Sequence, residues 1–560
     1  MHDHFGELRH LVEQLPSPSA FENLVYFIEH RDSPAQRPQI EATWIPYLSD
    51  RLESWPDATR LCPKPLLDRY ESNSAVWGVL VRALDFEQEK LARTRTSRIL
   101  KAKHMSKITS VDLRSSYIKW PQLVDFASSA PFGKLEHIAF RKGTKGSDLE
   151  ALGEFFSSKM LAETSSLSFE GWSNINASVY DVLLEHFPVE NLTKIDLSGL
   201  KIISARRLKD LLDTGRFANL EEIEFRRHDS MGSKGLFGTI CQAKDLKKLR
   251  SIRGAWVKGQ ELITLSRADH LTHLEELHLS DIECTPEELE AALDAENLPA
   301  LEHLSIGLSA GGKAVDERGK DLMRALGQSK LIRQVKTLSL SSNTHLDLCA
   351  FLDAADHGLD HLTHFSWRPW CHGDDKLAAV VRDELRALAK TSFTQLIGLN
   401  LRFYSMDQSA RDHNLCKELL AAPFLPQLQE LQVLGQCFHP QDILRLTTDS
   451  RFPVLRVCGL ESPLDATQWR TFLTQTELSR LEVLRAWFFD PHEVFLDLCA
   501  LLNEEAHHIP RLARLLVNTA LSYHVDKDLL RDSVYLEASQ WISLGMEYTF
   551  SDGNPTWLTR

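Results

Sequence analysis

Three groups of residues in this chain have types and spacings that could do chemistry. The first is Gly307-Leu308-Ser309-Ala310-Gly311, a G-x-S-x-G run that follows an apolar stretch (Leu304, Ile306) and precedes a helical pattern. In a tight strand-to-helix turn the flanking glycines let a serine hydroxyl stand clear for a histidine to deprotonate, which would make Ser309 the nucleophile of a serine hydrolase. The same glycines open GLSAGGKA (307 to 314), one residue short of a phosphate-cradling loop, because Ala314 sits where a Ser or Thr should hold magnesium. The two readings exclude each other. There is no HGGG-like oxyanion segment, and no Asp or His stands out as a partner for Ser309. The glycines are therefore read as a wider loop, and no enzyme activity is expected.

The second group is Cys371-His372 with Asp374 and Asp375, then Cys437-Phe438-His439. These are metal-ligand types, but they lie two strands apart, about 10 Å at roughly 4.8 Å per strand, too far for one zinc. No metal and no cofactor is expected. The third group is Arg368, Trp370, Arg402, Tyr404, Arg485 and Trp487, three arginines with three large aromatics at what read as comparable positions. Such side chains dominate interface energetics because they bury large areas while keeping directional polar contacts. They are the candidate partner-binding residues.

What must position them is a repeat. The pattern apolar-x-x-apolar-x-apolar runs through Ile108/Val111/Leu113, Leu135/Ile138/Phe140, Leu192/Ile195/Leu197, Leu220/Ile223/Phe225, Leu274/Leu277/Leu279 and Leu301/Leu304/Ile306. It continues through Val335/Leu338/Leu340, Leu362/Phe365/Trp367, Leu396/Leu399/Leu401, Leu428/Leu431/Val433, Leu455/Cys458/Leu460, Leu481/Leu484 and Leu512/Leu515/Val517, with degenerate copies at Leu167/Phe169 and Leu249/Ile252. That makes about fifteen units, most of them 25 to 34 residues apart. Each is a short strand whose alternate side chains can be buried only against neighbouring units, so the strands stack in parallel. Amphipathic segments separate them: 147 to 161, 204 to 214, 285 to 295 and 376 to 390, several opening with Ser or Thr before Glu or Asp as helices do.

In this pattern the chain resembles the leucine-rich-repeat superfamily, and its long helical units look most like the ribonuclease-inhibitor-like class. One unit fits the consensus in full, Val335-Lys-Thr-Leu338-Ser-Leu340-Ser-Ser-Asn343-Thr-His-Leu346; most others lack the asparagine that stands at Asn343. The resemblance covers roughly residues 105 to 520. It implies an α/β leucine-rich-repeat solenoid, a curved horseshoe with a parallel concave sheet and outer helices. It also implies a non-enzymatic scaffold for protein-protein interaction that binds a protein partner on the concave face. The first half of that face would present Asp112, Arg114, Arg141, Lys194, Asp196, Glu222, Glu224, Arg226, Arg227, Glu276, His278 and Asp281, a mixed and solvated set.

The flanks lack these units. Residues 1 to 103 read as helices, at 4 to 15, 19 to 31, part of 38 to 53 and about 74 to 100. This α-helical N-terminal region is a cap for the 104 to 520 solenoid or an accessory domain that binds a second protein. In the second case the chain would be an adaptor: QLPSPSAFENLVYFIEH resembles the opening of an F-box, although Trp44, Trp55 and Trp77 do not fall at the spacing expected. The basic run Lys90, Arg93, Arg95, Arg98, Lys101, Lys103, Lys107 is read as the solvated last turns of a helix. Residues 521 to 560 read as a C-terminal cap. A net charge of −14 argues against nucleic acid as a partner. Nine scattered cysteines without a CxxC pair suit a reducing compartment. With no run of 18 apolar residues and an N-terminus unlike a signal peptide, no membrane contact and a cytoplasmic location are expected.

Overall fold

In an extended segment such as Val335-Lys-Thr-Leu338-Ser-Leu340, successive side chains alternate, so Leu338 and Leu340 point one way while Thr337, Ser339 and Ser341 point the other. In the computed structural model of this chain, every apolar rung is a β-strand. The structure describes residues 4–13, 16, 18–86, 93–113, 120–129, 132–140, 149–169, 177–186, 191–198, 205–225, 235–294, 296–309, 317–342, 346–371, 377–405, 415–435, 441, 444–446, 452–461, 464–475, 479–488, 501, 514–519 and 543–545. They fall into two compact units, residues 1–256 with 268–274, and residues 257–267 with 275–560.

The first unit carries β1 (Ala83–Asp85), β2 (Ser110–Leu113), β3 (His137–Phe140), β4 (Ser166–Ser168), β5 (Lys194–Asp196), β6 (Glu222–Glu224) and most of β7 (Ser251–Lys258). Each pairs in parallel with the next, so that Leu84, Val111, Ile138, Leu167, Ile195, Ile223 and Ile252 stand side by side. The second unit carries β8 (Glu276–Glu283), β9 (His303–Leu308), β10 (Thr337–Ser342), β11 (His364–Cys371) and β12 (Gly398–Ser405). It continues with β13 (Glu430–Gly435), β14 (Val457–Glu461), β15 (Val483–Phe488), β16 (Arg514–Thr519) and β17 (Ser543–Gly545), again parallel in chain order. Here the matched row is Leu277, Leu304, Leu338, Phe365, Leu399, Leu431, Cys458 and Leu484. All of these are buried, and full burial of each large one is worth roughly 1.5–3 kcal/mol before ordering costs.

Parallel neighbours need a crossover, and helices supply it. Helix Ala205–Leu212 buries Leu208, Leu211 and Leu212 at helical spacing. Helix Pro286–Leu293 opens on Thr285, whose hydroxyl accepts from the Glu288 amide while the Glu288 carboxylate accepts from the Thr285 amide. From β8 to β12 crossover length and helix length rise together. The β8-to-β9 and β10-to-β11 steps are the shorter two of these four (Glu276 to His303, Thr337 to His364), and they carry helices of 8 residues, Pro286–Leu293 and Leu348–Ala355. The β9-to-β10 and β11-to-β12 steps are longer by two helical turns (His303 to Thr337, His364 to Gly398), and they carry helices of 12 and 14 residues, Glu317–Gln328 and Leu377–Lys390.

The ladder extends beyond the limits drawn from sequence. The expected helix at 74 to 100 is instead a 3-10 turn at Val76–Leu80, strand β1 and a helix at Arg93–Leu100. The reason is visible in Val81/Leu84/Phe86, which repeats the rung spacing and is buried beside β2. Likewise β17 lies inside 521 to 560, on the pattern Trp541/Leu544/Met546. The helices expected at 4 to 15, 19 to 31 and 38 to 53 appear as His4–Val12, Pro18–Arg31 and a run of short helices over Arg37–Ser54. Buried Arg60 ties this region to the turn before β1, its Nε donating to the Leu80 carbonyl at 2.9 Å and its Nη1 to the Leu52 carbonyl at 3.3 Å. The basic run is partly spent internally: Arg95 Nε donates to Glu71 Oε1 at 2.8 Å, and Arg98 lies 3.6 Å from the same carboxylate. No described helix is long and apolar enough to cross a membrane.

Candidate functional site

Because leucines occupy alternate positions on each strand, the residues between them form a second face, on the side opposite the leucine core. In the second unit one row of that face reads Ser305, Ser339, Ser366, Asn400 and Gln432 across β9 to β13, each directly beside the next. All five are buried. Two residues further along, Ser341 stands beside Arg368, and Arg402 beside Leu434. The β11–β12 register has the same offset before and after this point (366 to 400, 370 to 404), so Arg368 and Arg402 are matched on adjacent strands, about 4.8 Å apart. Trp370 and Tyr404 are matched in the same way. Arg402 is buried and Arg368 half-buried; the side chains of Trp370 and Tyr404 lie outside the described residues.

Arg485 and Trp487 are placed differently. They lie on β15, three strands beyond β12, or about 14 Å. Arg485 follows Gly459 in the row of Ser366 and Asn400, and it is Trp487, beside Glu461, that continues the row of Arg402. The six residues are thus not at comparable positions. The reason is register: Arg368 and Arg402 follow the matched Phe365 and Leu399 by three residues, Arg485 follows Leu484 by one. Their side chains, too, lie outside the described residues.

Ser309 does not follow a turn glycine. Gly307 lies inside β9, matched to Ser341, and the Ser309 amide donates to the Ile282 carbonyl at 2.9 Å, extending the pairing with β8. Gly307 is needed for another reason: a Cβ there would stand 1.9 Å from the Ser280 carbonyl oxygen. That corrects both the elbow and the wider loop for this glycine; residues 310 to 316, with Gly311 and Ala314, lie outside the described residues. So do Asn343, His372, Asp374, Asp375, Cys437, His439 and the side chain of Cys371. No family model matches the chain, and no curated protein matches it. A solved structure of a Bacteroides fragilis protein is 15% identical with a TM-score of 0.28, covering 45% of this chain and 75% of that one, a likeness too slight to carry an argument.

The first unit uses the same row differently. It reads Asp85, Asp112, Ala139, Ser168, Asp196, Glu224 and Arg253 across β1 to β7. Buried Asp196 is satisfied within the chain, accepting from the Ser168 hydroxyl at 2.7 Å, the Ser198 amide at 2.9 Å and the Ser198 hydroxyl. One row over, Lys194 pairs with Glu222 at 2.7 Å. The face is therefore acidic and partly self-paired in the first unit, whereas in the second it carries hydroxyls, two amides and two adjacent guanidinium groups.

Burial pushes the thiols of Cys284, Cys349 and Cys458 up to about 12, so these three remain protonated near neutrality. Imidazole behaves otherwise. On the same face, His364 lies against Gly398, and burial together with nearby His303 lowers it to about 4 from 6.5. A base depressed on folding contributes stability that is full above about pH 6.5 and is lost as pH falls toward 4. We expect acidification over that window to cost wild type on the order of 2 kcal/mol more than His364→Gln, after discounting for partial exposure. Urea midpoints at pH 7.5 and 4.5 measure this, and equal slopes for the two proteins would refute it.

Proposed function

We propose that this chain is a non-enzymatic scaffold of the leucine-rich-repeat class that holds a protein partner on the face opposite its leucine core. The observation that carries the reading is the register-matched polar row from Ser305 to Gln432, with Arg368 and Arg402 beside it. A polar face built on a rigid parallel ladder is pre-organised, so less ordering entropy is lost when a partner docks. The helical residues before β1 act in this reading as the cap of the stack. A cytoplasmic location goes with buried thiols that serve as small hydrophobes.

The test is site-directed photocrosslinking in a lysate of the source organism. A benzophenone amino acid at Ser341, on the proposed face, is compared with one at exposed Arg324 on helix Glu317–Gln328. Discrete protein adducts from position 341 and none in common from 324 are expected. Adducts only from the helix position, or from neither, would remove the reading.

A further inference from the structure

We infer that the β10 to β12 part of this face recognises a carboxylate-bearing, acidic peptide segment, a specificity that rests on the reading above. The floor of the site is Ser339, Ser366 and Asn400, one from each of three adjacent strands. They are 1%, 0% and 2% exposed, and Ser339 Oγ, Ser366 Oγ and Asn400 Oδ1 have no hydrogen-bond partner among the described residues. By strand alternation all three point away from the leucine core and into the face. A buried polar atom left unpaired costs about 1–3 kcal/mol, and three in one row are recovered together only by something that lies across the strands.

The chemistry of that occupant follows from what the site offers. Arg368 and Arg402 set two permanent cations on adjacent strands, a concentration of positive charge that favours an anionic occupant over a neutral one. Both also interact with groups of this chain, and it is their charge and position that select the occupant. Guanidinium groups suit the planar, two-oxygen geometry of a carboxylate. Asn400 Oδ1 can only accept, so the same ligand must bring a donor within one residue's reach of its carboxylate. An acidic residue within a peptide does so, because its backbone N–H accompanies its side-chain carboxylate. A phosphodiester backbone presents acceptors alone and would leave Asn400 unsatisfied.

The experiment is fluorescence polarisation with the full chain and two fluorescein-labelled octapeptides, (Glu-Gly)4 and its neutral twin (Gln-Gly)4. Binding of (Glu-Gly)4 is expected to exceed that of the twin at least tenfold and to fall at least tenfold in Arg368→Gln and in Arg402→Gln. It should weaken in Asn400→Ala and be unchanged in Lys248→Gln, whose exposed ammonium lies in the first unit. Thermal melts identify any variant that fails to fold; half-buried Arg368 keeps the test open if buried Arg402 does not tolerate change. Equal affinity for the two peptides, no binding of either, or full affinity in folded Arg368→Gln would overturn the proposal. So would complete displacement of (Glu-Gly)4 by inorganic phosphate at equal concentration, which would assign an oxyanion site. Adducts at position 341 without carboxylate preference leave the scaffold reading standing and remove this specificity; absence of those adducts removes the scaffold reading itself.

Discussion

Gly307→Ala is expected to destabilise the second unit by about 3 kcal/mol or more, at the upper end of what overpacking costs. The added Cβ would lie 1.9 Å from the Ser280 carbonyl oxygen and 2.7 Å from its carbon. Both are backbone atoms of β8, which cannot rotate aside as a side chain would. The β8–β9 register shifts between Leu279 and Ile282, a bulge that brings this carbonyl against β9. On the other flank Ser341 Oγ would be 3.2 Å from the same Cβ, so movement away from β8 is also resisted. Urea unfolding followed by hydrogen exchange of β8 to β10 peptides measures the effect, because exchange assigns the loss to these strands. If alanine at this position leaves the midpoint within a few tenths of a kcal/mol of wild type, the close approach is not what selects glycine.

The second large effect is expected at Glu384, whose buried carboxylate joins two successive units. From helix Leu377–Lys390 its Oε1 accepts from the Leu348 amide at 3.2 Å, at the start of helix Leu348–Ala355, and its Oε2 accepts from the Trp367 indole at 3.3 Å. Asp347 caps the same helix start through the Ala350 amide. Glu384→Ala leaves a buried N–H of the backbone and one of the indole without an acceptor, each worth about 1–3 kcal/mol, so a total near 3 kcal/mol is expected. Glu384→Gln keeps one acceptor and should recover roughly half of that. Denaturant midpoints for the two variants distinguish hydrogen bonding from volume; equal losses in both would show that the bridge contributes little.

Much of the ladder was legible because its signal is redundant. Every apolar rung read from the sequence is a strand, and Thr285 with Glu288 marks a helix start that the structure places at Pro286. Where a rung also fits a helical pattern, redundancy is lost. Val81/Leu84/Phe86 sits among residues that satisfy both periods, and only pairing with Val111 decides for the strand. Gly307 misleads in another way, since glycine serves tight turns and close backbone approach alike, and the Ser280 carbonyl that decides between them belongs to the preceding repeat. The candidate face was half legible. Arg368 with Arg402, and Trp370 with Tyr404, are matched as their spacing suggests, whereas Arg485 falls in a different row. Ser339, Ser366 and Asn400 escaped notice because a small polar residue between two apolar ones reads as solvent-facing, and only the three-dimensional row shows them buried. The x of each apolar-x-apolar core, tabulated strand by strand, is the signal that would have found them.

The short and the long crossovers both return the chain to the same matched position on the next strand. A sheet assembled this way has a quantum of length. Excising one whole period, such as 337 to 363, would set His364 directly after Lys336 and Phe365 beside Leu304, with every strand still offered a complementary neighbour. Cutting one residue more or less from the same place would instead turn leucines toward the polar face and serines toward the core. Inheritance can therefore lengthen or shorten such a chain only in whole steps, and the step that removed 364 to 397 would put Ser341 where Arg368 stands beside Arg402.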